Sequence, residues 1–125
     1  MKVLLVEEDR ESLAQLEGAL GELEVELLTA SDAEQGLSVF RDAHPRIVLL
    51  GLSSPEQVLE TLLKMLEQDP GADIIVAGGD TSAEFTLRAI RKGACDYLVR
   101  PFDLQRVREV FASLLSLAQE RQRFL

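Results

Sequence analysis

Arg46 to Pro55 reads RIVLLGLSSP, and the reading of the whole chain turns on it. Ile47, Val48, Leu49 and Leu50 form an unbroken apolar run, which suits a strand buried on both faces better than one with a wet side. The run stops at Gly51. In an open parallel sheet, the loops at the carboxyl ends of the strands hold the ligand or the chemistry, so the residue type at this end decides what the domain can do. Here that residue has no side chain.

Upstream, Val3 to Val6 is a second compact apolar run that ends in Glu7, Glu8 and Asp9, a first strand opening onto an acidic loop. A helix is expected from Asp9, with Leu13, Leu16 and Leu20 on one face and Gly21 closing it. Glu24 to Thr29 predicts a strand nearer a sheet edge, with Val25 and Leu27 on one side. Ser31 or Asp32 can cap a second helix carrying Ala33, Leu37 and Phe40 inward.

Downstream, Pro55 fits the first position of a third helix, where its missing N–H costs nothing, and Val58, Leu59, Leu62, Leu63 and Leu66 follow at helical spacing. Pro70 and Gly71 stop it. Asp73 to Ala77 predicts a fourth strand ending in Gly78 and Gly79. Asp80 or Thr81 would cap a fourth helix running through Lys92, with Leu87 and Ile90 inward, Phe85 near its exposed start and Gly93 ending it. Tyr97 to Val99 predicts a fifth strand, and Pro101 a turn before a last helix from about Asp103. Strand and helix alternate five times, which implies a parallel sheet with helices on both faces.

Bulk properties narrow the function. A chain of 125 residues fits one domain, and 46% hydrophobic with 28% charged residues fits a globular protein. Twenty-two acidic against thirteen basic residues give a net charge of −9, which opposes contact with nucleic acid or an acidic membrane. Cys95 is the only cysteine, so no intrachain disulfide is possible. The apolar run after Lys2 is too short for a signal-peptide core and no later run reaches membrane-spanning length, so a cytoplasmic protein is expected.

The segments KVLLVEED, RIVLLGLSSP and AIRKGACDYLVRPFD resemble the CheY-like receiver domains of two-component response regulators. The last is the most specific, because Ala89, Gly93, Ala94, Asp96, Tyr97, Leu98, Pro101 and Phe102 fall at the family's spacing. The resemblance covers the whole chain and implies a flavodoxin-like (βα)5 three-layer sandwich with a five-stranded parallel sheet in the order 2-1-3-4-5. Residues 1–118 would form the receiver-like domain and 119–125 a C-terminal helical extension that could serve as a linker.

Such receivers accept a phosphoryl group from a histidine kinase on an aspartate after the third strand. An acidic pair and that aspartate hold Mg²⁺, while a hydroxyl residue and a lysine contact the phosphate. Carried onto this sequence, the acidic pair is Glu7 and Glu8, the acceptor position is Gly51, the hydroxyl position is Gly78 and the lysine position is Arg100. Glycine offers no atom to attack phosphorus. The resemblance therefore implies a degenerate pocket without phosphoacceptor chemistry. Mg²⁺ binding would be lost or very weak, because the ion needs near-octahedral oxygen coordination and Glu7 and Glu8 offer a residual site at best. Arg100 is expected to pair with Glu7 or Glu8 instead.

Competing readings accompany each of these residues. Glu7 and Glu8 also read as two solvated acids. Gly51, Gly78 and Gly79 also read as tight-turn glycines, or as the lining of a small open cavity. Ser53, Ser54 and Asp80 are the substitute acceptors if phosphorylation persists at an unorthodox residue, and His44 reads as a surface turn residue. A nucleotide or small-molecule binder is a further alternative, opposed by the carboxylates of EEDRES where a phosphate loop wants N–H groups. Tyr97 occupies the family's switch position but has no hydroxyl at Gly78 to follow, so it reads as a fixed packing or contact residue. Phe85, Tyr97 and Pro101 mark the expected contact surface. It would serve a protein partner, an output domain or a second copy through helix four, strand five and helix five. The final helix could extend ~34 Å, with Leu104, Val107, Phe111, Leu114, Ala118 and Leu125 in a seven-residue pattern broken by Arg121.

Overall fold

The computed structural model describes residues 1–79 and 83–123. Five strands, β1 (Lys2–Glu7), β2 (Glu26–Ala30), β3 (Ile47–Gly51), β4 (Asp73–Gly78) and β5 (Asp96–Val99), form one sheet in the order β2-β1-β3-β4-β5. Every pairing is parallel. Between them run α1 (Arg10–Leu20), α2 (Ala33–Ala43), α3 (Pro55–Gln68) and α4 (Ala83–Arg91), and α5 (Leu104–Arg123) follows β5. This is the flavodoxin-like arrangement expected of the sequence.

The continuous apolar runs are explained by the two-residue period of a strand. Val3, Leu5, Ile47, Leu49, Ile75 and Ala77 face one core with Leu16 and Leu20 of α1 and Val107 and Phe111 of α5. Their neighbours Leu4, Val6, Val48, Leu50, Ile74 and Val76 face the other, with Phe40 of α2, Leu62 and Met65 of α3, and Phe85 and Ala89 of α4. Both faces of the central strands are dry, so alternation with polar residues has no place there. Full burial of each such leucine stabilises the fold by ~2 kcal/mol.

Caps set the helix starts. Asp9, Asp32 and Ser54 accept the N–H groups of Ser12, Gln35 and Gln57 at 3.0, 2.8 and 3.4 Å. Asp103 accepts those of Gln105 and Arg106 ahead of α5. Gly93, at φ +115°, ends α4 in a conformation that only glycine adopts cheaply. Among the described residues it is the glycine with positive φ, so Gly51, Gly78 and Gly79 are not left-handed turn glycines. His44 closes α2 in the left-handed region and is exposed.

Several expectations need correction. Strand β2 begins at Glu26, leaving Glu24 and Val25 in the approach to it. On α3, Leu63 faces solvent and Met65 is buried in its place, because the inward stripe runs Val58, Leu62, Met65. On α4 the inward stripe is Phe85 and Ala89, so Phe85 is buried while Leu87 and Ile90 are 51% and 41% exposed. The caps assigned to Asp80 or Thr81, and Leu125 of the seven-residue pattern, lie outside the described residues. Helix α5 continues without a break through 119–123, and Arg121 stands 3.7 Å from Asp73 at the start of β4. Asp73 also lies 4.0 Å from Arg46.

Candidate functional site

Parallel register brings the acidic loop after β1 to the end of β3, because Glu7 and Gly51 are paired residues of neighbouring strands. Strand β5 then delivers Arg100, whose N–H donates to the Gly78 carbonyl at 2.9 Å. Glu7, Glu8, Asp9, Ser12, Gly51, Ser53 and Arg100 line a pocket of about 500 Å³ at this end of the sheet. Four of the five residues singled out for the pocket therefore meet there. Gly78, the fifth, contributes its backbone oxygen to the placement of Arg100 rather than a place in that lining.

The acidic pair divides its labour. Glu7, with a side chain 1% exposed, pairs with Arg100 through Oε2 and Nη2, while its Oε1 accepts the Asp9 N–H at 3.1 Å. Glu8 is exposed and accepts both the N–H and the hydroxyl of Ser53 at 3.0 Å each. Burial removes Glu7 from the plainer reading of two solvated acids, whereas Glu8 remains exposed while holding Ser53. Arg100 Nη2 also donates to the Gly51 carbonyl at 2.8 Å, and Nη1 to Ser12 Oγ at 3.2 Å. Its guanidinium carbon lies 5.1 Å from the centre of the Phe102 ring, within cation–π range.

Gly51 lines this pocket, but the space directly over its Cα is filled. A Cβ built there would overlap Glu7 Oε2 and lie 2.7 Å from Arg100 Nη2, so the ion pair already occupies that volume. Ser12 completes the arrangement, and sequence reading did not single it out. Its hydroxyl donates to Asp9 Oδ2 at 2.8 Å and accepts from Arg100, joining the α1 cap to the pocket. Those Ser12 hydrogen bonds, hydroxyl first and N–H second, hold the Asp9 carboxyl below its ordinary value, and the Arg100 charge adds to the effect. The only hint in the sequence was a serine three residues past a capping aspartate.

A family model, the response regulator receiver domain, matches residues 3–112. The chain belongs to that family. This receiver is 29% identical over 113 residues to the chemotaxis protein CheY of Listeria monocytogenes, covering 87% of this chain and 93% of that one. It is 25% identical over 117 residues to the two-component response regulator ORR21 of Oryza sativa subsp. indica, covering 92% of this chain and 17% of ORR21. Among solved structures, NtrX from Brucella abortus superposes with a TM-score of 0.86 at 26% identity, over 98% of this chain and 28% of NtrX. The receiver thus spans nearly all of one relative and less than a third of the other two.

Elsewhere on the receiver, Phe85 and Tyr97 meet edge to face, with ring centres 6.0 Å apart and planes at 77°. Phe85 is therefore a packing residue, and the exposed apolar side chains of this region are Leu87, Ile90 and Val99. Pro101 is exposed and follows a cis peptide bond. Of the substitute acceptors, Ser53 holds Glu8, Ser54 caps α3, and Asp80 lies outside the described residues. No described helix is long and apolar enough to cross a membrane.

Proposed function

We propose that this receiver is a pseudo-receiver of two-component signalling, a cytoplasmic module that acts by protein contact without aspartyl phosphorylation or enzymatic turnover. The observation that carries the reading is Gly51 at the acceptor position, with the Glu7–Arg100 pair in the volume a carboxylate would need. An acyl phosphate requires a carboxylate nucleophile, and none projects from residue 51.

The residues present do not fit Mg²⁺. Both oxygens of Glu7 and both of Glu8 already accept hydrogen bonds, and a permanent cation lies against Glu7. A divalent ion at this place would face the guanidinium at close range, and it gives up its waters reluctantly even for a prepared site. Glu7, Glu8 and Asp9 equally oppose the phosphates of a nucleotide.

The contact surface of this reading is the α4–β5–α5 face, which would meet a protein partner, an output domain or a second copy. Leu87, Ile90 and Val99 supply its apolar content, at 51%, 41% and 45% exposure. Incubation with a small-molecule phosphodonor and Mg²⁺, followed by intact mass, tests the central point. The mass stays unchanged under the proposal; gain of one phosphoryl group, mapped to Ser53, Ser54 or Asp80, replaces it with an unorthodox acceptor.

A further inference from the structure

We propose that Gly51 and Arg100 form an interlock, two positions that can change only together because one ion pair fills the space that a side chain at the other would need. A Cβ at residue 51 would overlap Glu7 Oε2, and it would stand 2.7 Å from Arg100 Nη2 and 3.2 Å from Glu7 Cδ. Ends of long side chains ordinarily yield to such a contact. These two are held. Glu7 is 1% exposed and its carboxylate is held by the Asp9 N–H and by Arg100. Arg100 is tied to the Gly51 carbonyl, to Ser12 Oγ and, through its backbone, to the Gly78 carbonyl.

The guanidinium consequently does two things at once. It supplies fixed positive charge beside the buried Glu7, and it joins the ends of β1, β3 and β5 to α1 without an exchangeable ion. A residue-51 side chain can enter only by breaking this set of charge-assisted bonds, which are among the stronger ones available to a protein. Restoring a carboxylate at 51 alone therefore does not rebuild a metal site, because Glu7 remains committed to Arg100. This inference stands apart from the phosphorylation question: it concerns which side chains exclude one another.

A double-mutant cycle with Gly51→Ala and Arg100→Ala, followed by urea unfolding, tests the interlock directly. The midpoint lost on Gly51→Ala should shrink or vanish when residue 100 is already alanine, and additive losses would overturn the inference. Where the alanine at 100 prevents folding, Arg100→Lys serves as the second arm with the same expected sign. Calorimetric titration with MgCl2 then compares Gly51→Asp with Gly51→Asp/Arg100→Ala. The double variant should bind Mg²⁺ roughly tenfold or more tightly than the single one. Equal binding, or none in either, counts against the interlock. A phosphoryl adduct on the unaltered protein would sink the functional proposal and leave this cycle unaffected.

Discussion

Glu7 and Gly51 are register partners across β1 and β3, and the carboxylate of the first lies where the side chain of the second would project. Arg100 is what makes that position tolerable for a buried acid. Truncation by Arg100→Ala leaves Glu7 with the Asp9 N–H and no counter-charge. Breaking a buried pair from one side costs ~3 kcal/mol, read as a lower urea midpoint with an unchanged slope. Arg100→Lys should recover part of the loss, since a lysine restores the charge without the fork that reaches Glu7, Gly51 and Ser12 together. A midpoint unmoved by Arg100→Ala would show that the pair contributes nothing.

On α4 the two kinds of apolar residue should respond in opposite ways. Phe85→Ala removes a buried ring that packs against Tyr97 and should cost ~3 kcal/mol or more. Leu87→Glu with Ile90→Glu alters exposed positions and should change stability by no more than ~1 kcal/mol in total. The same double change should abolish any self-association seen by sedimentation velocity, because it places two charges in the apolar part of the proposed face.

Cys95 is exposed, yet its thiol is pushed up to about 11, first by partial desolvation and then by the charges of Asp73 and Asp96. Near neutral pH it holds about a hundredfold less thiolate than an ordinary cysteine, so alkylation by iodoacetamide should be slower by roughly that factor than in urea. The sign for stability follows from the raised value. Its contribution is fully present below the unfolded thiol's ordinary range and is lost as pH rises towards about 11. Asp73→Asn should speed alkylation modestly, as it removes the second of the three causes.

Arg121 ties the last described turns of α5 to Asp73, and Arg46 reaches the same carboxylate from the start of β3. The Asp73 Oδ2 atom is buried without a hydrogen bond among the described residues, so these two cations are its compensation. Arg121→Ala should cost at most ~1 kcal/mol, given its exposed guanidinium, but should raise amide exchange in the final turns of α5 relative to its centre. Uniform exchange along the helix in both proteins would remove the tether.

Much of the architecture was legible because burial leaves a plain mark. Val3–Val6, Ile47–Leu50 and Ile74–Ala77 are dry on both faces, so their sequence is apolar without interruption. Helix α4 defeated the same reasoning. It has nine residues, its buried side chains among the described residues are Phe85 and Ala89, and the aliphatics Leu87 and Ile90 lie on the solvent side, so hydrophobicity pointed to the wrong face. In the pocket, the resemblance to receiver domains implied that an arginine and two glutamates would lie close. It did not show which glutamate pairs, because that depends on Glu7 being the last residue of β1, in register with Gly51, while Glu8 has already turned towards Ser53. Nor could a missing side chain announce that its neighbours had taken its room.

Tyr97 is seated against Phe85 by ring packing, next to a strand end that offers no hydroxyl at Gly78. Under the proposed pseudo-receiver function, such a face would not wait for a chemical mark to arrive or decay. Its output would scale with how much of the protein is made and how fast it is degraded, which moves control of the signal from the kinase to the promoter and the protease.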